Sequence, residues 1–96
     1  MDSLLLSQVK KGLARIFNSR FNIDINNLKN EYLCKNLLGM DFGLAARDLL
    51  YIYFDVKHEF NIIIPEEDIS QGKFSTFTGI IEIVMRQMEL KEVSSI

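Results

Sequence analysis

Leu6, Val9, Leu13 and the pair Ile16–Phe17 recur at helical spacing, with Lys10, Lys11 and Arg15 between them. This pattern predicts an amphipathic helix from Asp2 to about Asn18. Asp2 or Ser3 can cap its start, because a short side-chain oxygen accepts from a first-turn N–H. It should end in Asn18-Ser19-Arg20, where short polar side chains compete with helical hydrogen bonds. From Phe21 to Gly43 the pattern changes. Asn22, Asn26, Asn27, Asn30 and Asn36 lower the helix propensity. Phe21, Ile23, Ile25, Leu28, Leu33, Leu37 and Leu38 nevertheless make the stretch too apolar for a linker in solvent. It is expected to lie against the core, with one helical turn around Glu31 to Asn36. Connections this long are uncommon without a purpose.

Gly43 breaks the chain, and a second long helix is predicted from about Ala45 to Glu59. Leu49, Ile52, Tyr53, Val56 and Phe60 form one buried stripe, and Leu50 and Phe54 form a second apolar strip beside it. Asp48, Asp55, Lys57 and Glu59 fall toward solvent. Phe60-Asn61-Ile62-Ile63-Ile64 is then extended, with Phe60 and Ile64 expected in the core, holding the second helix to the third. Pro65, the only proline, opens a short helix through Glu66, Glu67 and Asp68 to Ile69. Proline at the first helical position and acids in the first turn suit the helix dipole. Gly72 ends that turn. Ser75 or Thr76 can cap a last helix containing Phe77, Ile80, Ile81, Val84, Met85 and Met88. The tail after Leu90 and residues 1–2 are expected to fray. Phe21-Asn22-Ile23-Asp24-Ile25 faintly echoes Phe60-Asn61-Ile62-Ile63-Ile64, as a shared way of leaving a helix for an extended exit.

The chain's 96 residues fit one all-α domain spanning 1–96. At 48% hydrophobic and 25% charged residues, it is too apolar for a disordered segment. A formal net charge of -2, with Lys10, Lys11 and Arg15 as the main basic cluster, argues against nucleic acid as a partner. The single cysteine, Cys34, allows no intrachain disulfide and no cysteine-rich zinc site. No apolar run approaches the roughly 20 residues of a membrane span. Leu4-Leu5-Leu6 is too short for a secretory signal, so the expected compartment is the cytoplasm.

No nucleophile–base pair, metal-ligand cluster or phosphate loop is legible, and no enzymatic activity, metal or cofactor is expected. The lone His58 reads as a surface residue, Cys34 as a small buried hydrophobe and Met85 with Met88 as core filler. Ser70 and Ser75 read as turn and cap residues.

The run His58-Glu59-Phe60-Asn61-Ile62-Ile63-Ile64-Pro65-Glu66-Glu67-Asp68-Ile69 resembles acyl carrier proteins. In that family a Glu-Phe pair ends the second helix and an extended Ile-x-Ile-Pro exit leads to an acidic third helix. Phe74-Ser75-Thr76-Phe77 resembles the start of the family's last helix, and Leu38-Gly39-Met40-Asp41 its Leu-Gly-x-Asp. The resemblance implies an acyl-carrier-like four-helix bundle of three long helices and one short one.

The family's Asp-Ser-Leu motif, whose serine takes phosphopantetheine, has no counterpart here. Counting back from Phe60 puts Ala46 on the serine. Reading forward from Leu38-Gly39 puts Phe42 there. No serine or threonine occurs from Asn30 to Ile69. The sequence is most similar to the serine-less, acyl-carrier-related proteins of bacterial peptide (bacteriocin) maturation systems, through the run Gly-Leu-x-x-Arg-Asp-Leu-Leu-Tyr, Gly43 to Tyr51. The resemblance implies a non-enzymatic binding module that docks on a biosynthetic or peptide-maturation enzyme, as a monomer or weak dimer. It also implies that Leu50 and Phe54, with Arg47 at their edge, meet the partner. The alternatives are a genuine carrier modified at an unexpected residue, or a structural or regulatory helical domain. The family's second helix is strongly acidic. Here Arg47 and Lys57 offset Asp48, Asp55 and Glu59, so contact is expected to depend little on salt.

Overall fold

Among residues 3–94, which the computed structural model describes, the chain forms five α-helices, two 3₁₀ turns and no strand. Helix α1 runs Ser3–Phe21, three residues past the expected end. Leu5, Val9, Leu13 and Phe17, one turn apart, are buried, and Leu6 is only partly so. Phe21 prolongs the helix by packing edge-on against Phe17, ring centroids 6.2 Å apart. Asn22 then stops it with a left-handed backbone, φ 59°, a conformation that asparagine tolerates better than most residues. Asp2, a proposed cap, lies outside the described residues.

The long connection is not a free loop. Asp24 caps a 3₁₀ turn at Ile25–Asn27 by accepting from the Asn26 N–H at 3.1 Å. Helix α2, Asn30–Leu33, follows. Ile25 and Leu37 are buried, while Phe21, Ile23, Leu28 and Leu33 rest partly buried on the core. Leu38 is the exception and points outward. Cys34 is also exposed, contrary to expectation. A one-turn helix has a single inward face, which Leu33 occupies, and the next residue is carried round to solvent. The Leu37 N–H donates to the Ser75 carbonyl at 2.7 Å, which fastens the connection across the molecule.

Helix α3 spans Ala46–Phe60. Ile52 and Val56 are fully buried, and Leu49, Tyr53 and Phe60 pack partly buried against the core. Phe60 is partly buried and meets α1: a Cβ on Gly12 would lie 2.7 Å from its ring. Phe60 is thus less deeply buried than a core residue, whereas Ile64 is buried as foreseen. Asn61, φ 52°, repeats the left-handed stop of Asn22, and each asparagine donates its N–H to the carbonyl four residues earlier. The sequence echo is therefore one helix-ending device used twice.

Pro65 is the cap residue of α4, Glu66–Ser70, one position earlier than expected. A second 3₁₀ turn, Lys73–Ser75, buries Phe74. Thr76 caps α5, Phe77–Ser94, accepting from the Gly79 N–H at 2.9 Å. Gly79 sits so close to the preceding turn that a Cβ there would lie 1.9 Å from the Lys73 carbonyl oxygen. The backbone stays helical to Ser94, beyond the expected fraying point. The remaining expected frayed positions, 1–2 and 95–96, lie outside the described residues. Helix α1 packs on both α3 and α5, and Phe17 meets Phe77 edge-on at 5.4 Å. No helix among the described residues is long and apolar enough to cross a membrane.

Candidate functional site

Fifteen residues of α3 divide by direction. At about 100° per residue, Ile52 and Val56 face the core, and Leu50 and Phe54 point away from it. Leu50 is 53% exposed and Phe54 56%. A helix normally hides such side chains, and apolar surface left in solvent marks an interaction site when it is contiguous. Here it is. Ala46, Leu49, Leu50 and Tyr53 form one wall of an open groove of about 350 Å³, and Ile69, Phe74 and Ser75 form the rest. Tyr53 and Phe74 meet edge-on at 6.0 Å across its floor. Ile69 adds a further 42%-exposed apolar side chain from α4.

The charges of α3 are sorted by the same rotation. Asp48 Oδ2 accepts from the Ala45 N–H at 2.8 Å and so closes the helix start. Asp55 takes a two-pronged contact from Arg20 of α1, at 2.5 and 2.9 Å. That hydrogen bond raises the pKa of the Arg20 guanidinium further above its ordinary value. Arg20 also lies 5.0 Å over the Tyr51 ring. Glu59 pairs with Arg15 at 3.5 Å. All three acids of α3 are thus engaged on the side facing α1 or at the cap. Arg47 and His58 are exposed and have no such partner among the described residues, and Lys57 only overhangs the Tyr53 ring at 5.2 Å. The expected balance of charge along α3 holds for the helix as a whole and fails for its outer face.

The two positions that the resemblance to acyl carrier proteins aligns with that family's serine have different surroundings. Ala46 is the first residue of α3, exposed and on the groove. Phe42 lies in the turn before it, partly buried against the core. The Ser70 hydroxyl donates to the Glu67 carbonyl at 3.0 Å, and Thr76 rather than Ser75 caps α5. No group of three or more His, Cys, Asp or Glu side chains suited to a metal occurs among the described residues.

Two features went unseen in the sequence. Asp68, read as a dipole acid, is buried and receives Arg86 of α5, with Lys73 Nζ 3.8 Å from its other oxygen. The groove's far wall, Ile69 and Phe74, is also invisible along the chain, because nothing in the local pattern brings α4 and the Lys73–Ser75 turn beside α3. No protein-family model matches the chain, and no curated protein and no solved structure matches it.

Proposed function

We propose that the protein is a non-enzymatic binding module that docks on a protein partner through the outer face of α3. The observation that carries this reading is the exposure of Leu50 and Phe54 beside an apolar groove, on a helix whose other large apolar side chains mostly pack inward. The order of elements and the carrier-like exit after Phe60 support an acyl-carrier-like module. On the alignment counted back from Phe60, Ala46 takes the position where such a module would carry phosphopantetheine, and on the alternative one Phe42 does; neither a methyl group nor a phenyl ring forms a phosphodiester. The partner is then a biosynthetic or peptide-maturation enzyme, met through Arg47, Leu50 and Phe54.

The test is a titration against the maturation or biosynthetic enzyme encoded beside it, with wild-type, Leu50→Asp and Phe54→Asp proteins first shown to be folded. Loss of binding in both variants is expected. Wild-type affinity in both removes α3 as the interface and favours a structural domain.

A further inference from the structure

Granting the docking role of α3, on which this rests, we infer that its partner segment is an amphipathic helix bearing large apolar side chains bordered by carboxylates. Those carboxylates lie along the edge that covers α3. At about 100° per residue, Arg47 and Lys57 each stand within roughly 40° of the centre of the Leu50–Phe54 strip, one on either side. Asp48, Asp55 and Glu59 stand roughly 120° or more away, and each is held by a partner inside the molecule. Arg47 and Lys57 are ten positions apart, about 15 Å along the axis, so the pair brackets a segment of two to three helical turns.

Neither cation has a carboxylate partner among the described residues. The charge left for a newcomer at this face is therefore positive, although the whole chain carries -2. The opposite wall, Ile69, Phe74 and Ser75, is itself uncharged. Helix α4 supplies Ile69 to the groove, and Glu66, about 60° round that helix from Ile69, is exposed and in no ion pair among the described residues, while Glu67 is turned about 160° away. Its third acid, Asp68, is turned inward to Arg86 and Lys73. An incoming helix thus meets cations along α3, apolar side chains in the groove, and Glu66 beyond Ile69 on α4. This fixes which of its edges is acidic. It is also the reverse of a strongly acidic second helix meeting a basic surface.

Three synthetic peptides about 18 residues long, five helical turns, provide the probe. They share one face of Leu and Phe and differ only in the flanking positions, which are Glu, Gln or Lys. Each is titrated calorimetrically into the full chain at about 0.05 M and 0.5 M salt, where screening lengths differ severalfold. The Glu peptide is expected to bind roughly tenfold tighter than the Lys peptide at low salt, as two rim ion pairs allow. High salt, and the paired change Arg47→Glu with Lys57→Glu, should each erase that preference. Equal binding by the three peptides, or a preference for Lys, overturns the inference. If that equal binding is still weakened by Leu50→Asp and Phe54→Asp, the docking face stands and only its charge preference falls. An acid preference that survives both of those variants belongs to another surface and removes α3 as the docking face, and no binding by any peptide overturns the inference as a whole.

Discussion

Replacing Arg86 with methionine tests how the short helix α4 is held. Asp68 is the buried charged residue among those described, with 3% of its side chain exposed, and it is anchored by Arg86, whose side chain is 46% exposed. Ile69 on α4 is substantially exposed, and Asp68 is the residue of that helix that enters the interior. Breaking a fully buried ion pair costs about 3–5 kcal/mol, because one charge remains out of water without compensation. An exposed pair contributes about 0–1 kcal/mol. Here the carboxylate is buried and the guanidinium half in water, and Lys73 remains 3.8 Å away, so Arg86→Met should cost about 2 kcal/mol. Methionine preserves most of the apolar stem, which borders the same surface depression as Leu6, Ile81 and Met85, and so isolates the charge.

For 96 residues the melting entropy makes 1 kcal/mol worth about 5 °C, so the melting temperature should fall by about 10 °C. Urea unfolding followed by far-ultraviolet circular dichroism measures the cost, with an unchanged m-value showing that the folded state is otherwise intact. The double variant with Asp68→Asn should recover more than half of the loss, since the stranded charge is gone. A cost below about 0.5 kcal/mol for Arg86→Met would place it among ordinary surface substitutions and refute this account of Asp68.

Neighbouring positions on α3 should respond in opposite ways: Ile52→Ala costs about 2–5 kcal/mol, while Leu50→Asp costs about 1 kcal/mol or less, both read from urea midpoints. Phe60→Ala, at a partly buried ring resting on Gly12, should fall between them at about 1–3 kcal/mol rather than the full cost of a core phenylalanine. Gly79→Ala should cost at least about 2 kcal/mol in the same assay, because its Cβ would meet a backbone carbonyl that cannot swing aside. Incubation with a broad-specificity phosphopantetheinyl transferase and coenzyme A should leave the intact mass of the wild-type chain unchanged, whereas Ala46→Ser provides a gain-of-function probe at the exposed first residue of α3.

Much of the helical framework was legible in the sequence because helix formation leaves a local periodic trace. Stripes such as Val9, Leu13 and Phe17, or Ile52 and Val56, declare both a helix and its inward face, since side chains three or four apart share one side of it. The outward direction of Leu50 and Phe54 follows from the same rotation. The stop at Asn61 and the cap at Thr76 are likewise local, each set by a residue's own backbone preference or hydroxyl. Local pattern was less reliable where a few contacts decide the matter. It placed Cys34 in the core, ended α1 before Phe21 had packed on Phe17, and set Phe60 deeper than the partly buried place it takes.

Only the tertiary structure decided which charges on α3 remain available. Asp55 and Glu59 look like solvent-facing acids until α1 comes alongside and Arg20 and Arg15, 35 and 44 residues away in the chain, take them. Asp68, a first-turn acid of α4, becomes an interior anchor as well because Arg86 arrives on another helix. The groove exists because α4 and the Lys73–Ser75 turn carry Ile69 and Phe74 to the side of Leu49 and Tyr53. Periodicity specifies the face a side chain takes on its own helix, because that depends on the rise and turn of one backbone. Whether a charge is neutralised or an apolar face is covered depends on which helix lies opposite, and that is settled by packing between distant segments.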